Sequence, residues 1–122
     1  MIGYTTLGTK NLENAAAFYD ALFESLGAKR VFNTENLIAW GAEKTGPYFS
    51  VTSPYDGQDA TVGNGVMVAL NASSTGQVDE LHARALELGA TNDGDPGLRA
   101  GGFYCGYFRD LDGNKLNFFC FG

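Results

Sequence analysis

The strongest constraint on the fold is an internal repeat. Helical periodicity and end signals predict one helix over "NLENAAAFYDALFESLGA", with Asn11 as its N-cap, and another over "STGQVDELHARALELGA", with Ser74 as its N-cap. Both segments end in Leu-Gly-Ala, and a shift of about 60 residues places Gly27 on Gly89. A period of this length is too long for a solenoid, so we predict two fused supersecondary units.

Strand signals surround both helices in a similar order. One strand-like run precedes each helix, "YTTLGT" in the first half and "VMVALN" in the second. The first helix is followed by "RVF", "LIAWG" and "YFSVT", with the turn "AEKTGP" between the last two. The second is followed by "FYCGYF" and "KLNFFCF" around the turn "RDLDGN", whereas "TNDGDPGLRAGG" offers at most a short strand. We therefore predict an α+β fold of two tandem βαβββ modules in one domain, with module one at about 1–60 and module two at about 61–122.

The second turn resembles the start of a calcium-binding loop. Asp110, Asp112 and Asn114 stand at alternate positions, but the sixth position of such a loop needs glycine and the twelfth needs a bidentate glutamate. Lys115 and Phe121 occupy those positions. The pattern therefore favours a hairpin turn between two strands, and the two aspartates are expected to be solvated.

Composition and charge exclude several classes of function. The net charge of -6 would repel a phosphate backbone, so no nucleic-acid partner is expected. No apolar run reaches the ~20 residues of a membrane helix, and no secretory signal is recognisable at the start, so we expect no membrane association and a cytoplasmic protein. The two cysteines, Cys105 and Cys120, form no metal-binding or disulfide motif and are expected on the helix-facing side of their strands.

The layout and three segments resemble a known family. "KNLENAAAFYDALFESLGA", "GNGVMVALNASS" and "YFRDLDGNKLNFF" are similar to segments of the glyoxalase / bleomycin-resistance / extradiol dioxygenase family, also called the vicinal oxygen chelate superfamily. The resemblance covers essentially the whole chain. It implies that the two modules form a half-open, curved mixed sheet with a concave pocket and helices on the outer face. It also implies a homodimer.

The family's metal enzymes take four ligands, commonly His, Gln or Glu, from the first and last strands of the modules. Carried over by this resemblance, the four positions fall on Tyr4, Ser50, Met67 and Asn117. This set lacks an imidazole or a carboxylate, and a thioether suits only soft ions. The single histidine, His82, lies in the second predicted helix and is expected at its boundary or facing solvent. We therefore predict no metal and no other cofactor.

Strand alternation predicts which side chains line the pocket. If Asn117 faces the pocket, Lys115 and Phe119 do so as well. Pairing Phe108 with Lys115 across the turn adds further residues to that face, although a slip of one residue would invert the assignment. Arg99, in a glycine-rich loop, could bind an anionic group. The candidate ligand-binding residues are Tyr4, Tyr48, Ser50, Met67, Arg99, Tyr104, Phe108, Lys115, Asn117 and Phe119. The alternative is that the aromatic residues only fill the core.

Two functions follow from the resemblance. The first is binding of a small organic ligand in a concave aromatic pocket, without the divalent metal usual in the family. The alternative is a glyoxalase-like lyase of the lactoylglutathione-lyase type, or an isomerase, that uses Tyr4, Asn117 or Lys115 as polar catalytic groups. A partner-binding module that uses the sheet edge has no sequence feature in its favour. The ligand itself is not specified by the sequence.

Overall fold

The computed structural model of the chain describes residues 1–43 and 46–121. The predicted turn at 42–47 lies partly outside these residues. The chain divides into two compact units, which we call unit 1 (Met1–Gly63) and unit 2 (Asn64–Gly122). No helix in the described part of the chain has the length and hydropathy needed to cross a membrane.

Unit 1 is a four-stranded sheet with one helix. The strand order is β1-β4-β3-β2, in which β1 pairs with β4 in parallel and the other pairs are antiparallel. The parallel pair is possible because the helix lies between β1 and the hairpin strands in the chain and makes the crossover. The elements are β1 (Tyr4–Gly8), α1 (Leu12–Glu24), β2 (Lys29–Asn33), β3 (Leu37–Gly41) and β4 (Tyr48–Thr52).

Unit 2 repeats this topology. Its strand order is β5-β8-β7-β6, again with the first and last strands of the unit paired in parallel. The prediction of an α+β fold with two tandem βαβββ modules is thereby confirmed. The elements are β5 (Val68–Asn71), α2 (Thr75–Glu87), β6 (Thr91–Leu98), β7 (Phe103–Arg109) and β8 (Lys115–Phe121).

The predicted helix ends are confirmed. The Asn11 side chain accepts a hydrogen bond from the Asn14 backbone N–H at 2.9 Å, and Ser74 Oγ accepts one from the Gln77 N–H at 3.1 Å. These bonds satisfy backbone donors that have no partner inside a helix. After each helix a glycine adopts a positive φ, 68° at Gly27 and 110° at Gly89, which other residues rarely adopt.

Each sheet buries one face against the helix of its own unit. In unit 1 this layer is rich in aromatic side chains, with ring centroids 4.7–6.3 Å apart among Tyr19, Phe23, Trp40 and Phe49. The Trp40 indole N–H also donates to Asp20 Oδ1 at 2.9 Å, so its one polar atom is satisfied. In unit 2 the layer is mainly aliphatic, with a single stacked pair formed by Phe108 and Phe118 at 5.5 Å.

The segment predicted to hold at most a short strand forms the eight-residue strand β6. Two register shifts, between Asn92 and Gly94 and between Gly94 and Gly97, accommodate its glycines. Pro96 is tolerated because β6 is the edge strand, where a missing N–H breaks no ladder on the open side. Local composition underestimated this strand because β7 supplies its hydrogen-bond partners.

The hairpin between β7 and β8 has a register different from the predicted one. Arg109 pairs with Lys115, and Tyr107 pairs with Asn117, so the connection is one residue shorter than predicted. Asp110 organises it: its Oδ1 accepts from the backbone N–H groups of Asp112 and Asn114, both at 2.9 Å. The expectation that both aspartates are solvated is therefore wrong for Asp110, which is buried.

Candidate functional site

The face of the unit 2 sheet that lies away from α2 carries a cavity of about 280 Å³. Most of its lining is apolar, and its few polar groups come from β7, β8 and the turn that follows β6. Such a combination is typical of pockets for small organic molecules. The lining residues are Met67, Ala69, Arg99, Ala100, Phe103, Cys105, Tyr107, Asn117 and Phe119.

Arg99 is held at the cavity by backbone carbonyls. Its Nη2 donates to the Asp95 carbonyl at 2.7 Å, and its Nη1 donates to the Leu98 carbonyl at 3.4 Å. The guanidinium carbon also lies 5.4 Å from the centre of the Tyr107 ring, a favourable cation–π distance. These contacts fix the guanidinium without neutralising its charge.

Tyr107 is the central polar residue of the cavity. Its hydrogen bond with Cys105, at 3.4 Å from sulfur to oxygen, raises the pKa of the Tyr107 phenol, and burial raises it further. The Arg99 charge and a hydrogen bond from Asn117 act in the opposite direction on the same pKa, but the net direction is upward. Tyr107 is therefore a neutral phenol at physiological pH.

Asn117 places a buried amide in the cavity wall. The residue is only 5% exposed, and its Oδ1 has no hydrogen-bond partner among the described residues. Its Nδ2 lies 3.9 Å from the sulfur of Met67, which is a weak contact. A buried acceptor without a donor is uncommon, because its lost hydration is not compensated.

His82 supports the cavity from the α2 side of the sheet. Its Nε2 lies 3.1 Å from both Asn92 Oδ1 and the Tyr107 carbonyl oxygen. Asn92 Oδ1 also accepts from the Gly94 N–H, so both neighbours of Nε2 are acceptors and this nitrogen carries the hydrogen. The bond links α2 to β6 and β7 at the same point of the sheet. The expectation of a boundary or solvent-facing histidine is wrong, because His82 is buried.

Glycine allows this close approach. A Cβ on Gly106 would lie 2.9 Å from His82 Cδ2 and 3.0 Å from Pro96 Cγ. Both neighbours are held in place, the first by hydrogen bonds and the second by its ring. Only a residue without a side chain lets the His82 ring approach β7 this closely.

Unit 1 carries a depression of about 330 Å³ on its own sheet. Its lining is apolar or aromatic, and no charged side chain contributes among the described residues. Several of these side chains are strongly exposed, with Tyr4 at 64% and Phe32 at 56%. The lining residues are Tyr4, Val31, Phe32, Leu37, Ala39 and Tyr48.

A family model for the "Glyoxalase/Bleomycin resistance protein/Dioxygenase superfamily" matches residues 1–118. The chain belongs to this superfamily. A glyoxalase/bleomycin resistance protein from Albidiferax ferrireducens T118 is 34% identical, with a TM-score of 0.87 over 96% of this chain and 95% of that one. A hypothetical protein from S. aureus is 27% identical, with a TM-score of 0.76 over 98% and 91%.

A lactoylglutathione lyase from Agrobacterium tumefaciens is 22% identical, with a TM-score of 0.70 over 98% of this chain and 92% of that one. At this identity the similarity concerns the fold alone. No curated protein matches the sequence. The suspected superfamily membership is thus confirmed, while the comparisons leave ligand and reaction open.

The positions at which superfamily metal enzymes carry their ligands do not fit a divalent cation here. Ser50 is 0% exposed, and its hydroxyl donates to the Thr5 carbonyl at 2.6 Å. Asn117 and Met67 offer an amide and a thioether, and neither is a charged donor. Within residues 1–43 and 46–121, no group of three or more His, Cys, Asp or Glu side chains is placed to hold an ion.

Four of the ten predicted pocket residues lie together at the unit 2 cavity: Met67, Arg99, Asn117 and Phe119. Tyr4 and Tyr48 line the depression of unit 1, and Ser50 is buried below it in a hydrogen bond with Thr6, so the prediction that Ser50 lines a pocket is wrong. Lys115 lies beside the cavity but does not line it. Its ammonium is 3.7 Å from Asp93 and 5.1 Å from the Tyr107 ring centre.

The predictions for Tyr104 and Phe108 are wrong. Phe108 is fully buried against α2, and the Tyr104 hydroxyl donates to Asp79 of α2 at 2.7 Å, a bond that raises the pKa of Tyr104. The cause is the shorter β7–β8 connection, which turns every β7 side chain to the other face. For the same reason Cys105, predicted to face the helix, lines the cavity instead.

The residues missed by sequence reasoning are those that the corrected register brings to this face, Phe103, Cys105 and Tyr107, together with Ala100 of the neighbouring turn. A signal was present in the sequence. An aspartate at the first position of "DLDGN" can accept from the two N–H groups that follow within the turn, which favours a tight five-residue connection. In unit 1 the missed residues are Val31, Phe32, Leu37 and Ala39, because the side chains of β2 and β3 were not assigned to a face of the sheet.

Proposed function

We propose that the protein binds a small organic ligand in the unit 2 cavity, without the divalent metal usual in its superfamily. One observation carries the proposal: a mostly apolar cavity of about 280 Å³ contains a buried amide acceptor, Asn117 Oδ1, that has no partner among the described residues. A ligand that donates a hydrogen bond there would satisfy it. Phe103 and Phe119, 5.8 Å apart, offer surfaces for a flat ring.

Ligand-observed NMR with a panel of single-ring aromatic fragments tests the binding. Ala69→Trp fills the cavity from β5, because Ala69 lines it. Ala83→Trp adds the same side chain at an exposed position of α2 and serves as the matched control. We expect fragments that bind the native protein and Ala83→Trp but not Ala69→Trp. No binding to the native protein, or equal binding to both variants, would overturn the proposal.

Metal independence is tested separately. The donor set at the four superfamily positions supports it, because none of Tyr4, Ser50, Met67 and Asn117 is a carboxylate or an imidazole. The protein is dialysed against chelator and then against zinc, nickel, manganese or iron, and the retained metal is measured. We expect fragment affinity to be the same before and after chelation. Stoichiometric retained metal would refute this part.

The lyase or isomerase alternative stays a prediction. Of the three polar groups suggested for it, Tyr4 lies in unit 1, Lys115 is paired with Asp93, and only Asn117 lines the unit 2 cavity. Turnover of glutathione hemithioacetals, with and without added metal, would establish it in place of simple binding. The homodimer and the cytoplasmic location also remain predictions, and light scattering that gives the mass of one chain would refute the first.

A further inference from the structure

We propose that the ligand of the unit 2 cavity is a flat organic acid whose carboxylate binds Arg99 and whose hydroxyl or amine donates to Asn117. This inference rests on the proposed function and adds the ligand's chemical class. It is carried by the charge of the cavity, by the contacts of Arg99 and by the state of Asn117.

The charge of the cavity is opposite to that of the protein. The chain has a net charge of -6, yet the cavity lining contains one arginine and no aspartate or glutamate. A carboxylate that is repelled by the net charge of the protein would therefore meet, in this cavity, a cation inside a mainly apolar recess. Low local polarity strengthens such a charge–charge interaction.

Arg99 differs from the other arginines in its partners. Arg30 pairs with Asp20, Arg84 with Glu87, and Arg109 with Asp93. Arg99 has no carboxylate partner within the part of the chain that the structure describes. Its hydrogen bonds to the described residues use two donors of a guanidinium that has five, and they go to neutral carbonyls. The positive charge is thus oriented and still available to an anion.

The neighbouring cation does not compete for the same anion. Lys115 also lies near the Tyr107 ring, but its ammonium is 3.7 Å from Asp93, which binds Arg109 as well. A planar guanidinium can hold both oxygens of a carboxylate at once, which an ammonium cannot. The structure therefore assigns the acid to Arg99.

Asn117 requires a donor on the ligand. Its Oδ1 accepts nothing among the described residues, whereas its Nδ2 lies 3.9 Å from Met67 Sδ and donates toward the Tyr107 hydroxyl. Met67 is 43% exposed and unbranched, so its side chain can move aside and admit a ligand to the amide. A ligand hydroxyl or amine would supply the missing hydrogen bond, whereas a ring without a donor would not.

Three probes separate these contributions: 4-hydroxybenzoate has the carboxylate and the donor, benzoate has the carboxylate alone, and 4-hydroxybenzamide has the donor on a neutral ring. Titration calorimetry or NMR titration gives their affinities. We expect 4-hydroxybenzoate to bind most tightly. Arg99→Gln should weaken both acids by about 10–100-fold, the usual range for a hydrogen bond to a charged group, and leave the benzamide unchanged.

Arg84→Gln is the matched control, because it removes the same charge from a helix surface and should leave all three affinities unchanged. Asn117→Leu should lower the affinity of 4-hydroxybenzoate to that of benzoate. If Arg99→Gln fails to fold, Arg99→Lys is used in its place. It keeps the charge but loses the planar guanidinium that holds both carboxylate oxygens, so it should weaken the binding of both acids by a smaller factor.

The inference would be overturned if 4-hydroxybenzoate and 4-hydroxybenzamide bound with equal affinity. It would also be overturned if Arg99→Gln and Arg84→Gln changed the affinities of the acids equally. If neutral fragments still bind and Ala69→Trp still blocks them, the binding proposal stands and only the ligand class is wrong. If neither fragments nor acids bind, both proposals fail.

Discussion

Units 1 and 2 share a topology but differ in the face of the sheet that lies away from the helix. The face of unit 1 is a depression of about 330 Å³ with an apolar and aromatic lining, whereas the face of unit 2 combines apolar residues with Arg99, Tyr107 and Asn117. The helix-facing sides of the two sheets also differ in polarity. Unit 1 buries a four-ring aromatic cluster there, and unit 2 buries His82. Repetition of a backbone thus leaves the chemistry of each face free to diverge.

The second strand of each unit, β2 in unit 1 and β6 in unit 2, explains part of this divergence. In unit 1, β2 has five residues and a single register shift, between Arg30 and Phe32. In unit 2, β6 has eight residues and two shifts, and it runs directly into the turn that carries Arg99. The Arg99 N–H donates to the Phe103 carbonyl at 2.7 Å and closes that turn. The added length of β6 therefore brings a cation, Arg99, to the cavity of unit 2. The shorter strand β2 has no equivalent extension.

The substitution with the largest expected effect disrupts the aromatic layer that only unit 1 has. Trp40→Ala removes a side chain that is 1% exposed and leaves Asp20 without the indole N–H. We expect the free energy of unfolding to fall by about 3–5 kcal/mol, as is usual for buried large aromatics. Urea unfolding followed by circular dichroism measures it. Tyr55→Ala is the control, because Tyr55 is fully exposed and should cost little. Equal losses in the two variants would contradict the assignment of the unit 1 core.

Intermediate effects are expected when a glycine in each sheet is replaced by alanine. Gly106→Ala in unit 2 forces a Cβ to within 2.9 Å of the buried His82 ring, so we expect a loss of about 1–3 kcal/mol. Gly41→Ala in unit 1 brings a Cβ to 2.5 Å from Tyr48 Cδ1, but Tyr48 is half-exposed and can turn away, so the loss should be smaller. Thermal unfolding of the two variants shows which substitution causes the larger loss of stability.

Gly76→Ala is the control for this pair. Gly76 lies in α2, and the nearest atom to an added Cβ is Ser74 Oγ at 3.8 Å. The substitution should stabilise the protein by about 0.5–1 kcal/mol, because alanine loses less backbone freedom in a helix than glycine does. A larger loss for Gly41→Ala than for Gly106→Ala would contradict the rigid contact that we assign to His82.

The smallest effect concerns pH and unit 1. The Asp20 carboxylate accepts from Arg30 at 3.0 and 2.7 Å and from Trp40, and the Arg30 hydrogen bond is the main cause that lowers the pKa of Asp20 below 3.8. Because the folded pKa lies below the unfolded one, the stabilisation is present above pH ~4 and is lost as the pH falls through the folded pKa. Solvent screening limits it to about 1 kcal/mol, since Asp20 is 44% exposed.

Asp20→Asn keeps the size of the side chain and removes the titration. The variant should be less stable than the native protein at pH 7, and the difference should shrink between pH 4 and pH 2. Urea midpoints across this range measure it. A difference that grows on acidification would show that the ion pair with Arg30 does not stabilise unit 1.

The sequence by itself determined the local elements and their repetition. Asn11 and Ser74 were recognisable as N-caps and Gly27 and Gly89 as helix ends, because these positions depend on hydrogen bonds and backbone angles within a few residues. Arg99 was also recognisable as a candidate from its glycine-rich loop, and Asn117 from the family resemblance, which places it at a ligand position of the superfamily's metal enzymes. The pattern could not show that they meet at one cavity.

Only the tertiary structure decided which face each residue of β7 occupies. Tyr107 and Phe108 are adjacent aromatic residues, either of which could face the core, so the alternation of this strand is ambiguous and its register depends on the turn. The buried Asp110 carboxylate sets that turn through hydrogen bonds to the chain on the far side of it, and the contact of His82 with the Tyr107 carbonyl connects the same strand to α2. The contact between His82 and Tyr107 joins residues 25 positions apart and carries no local signal, whereas capping and the Asp110 turn are short-range interactions that a sequence can reveal.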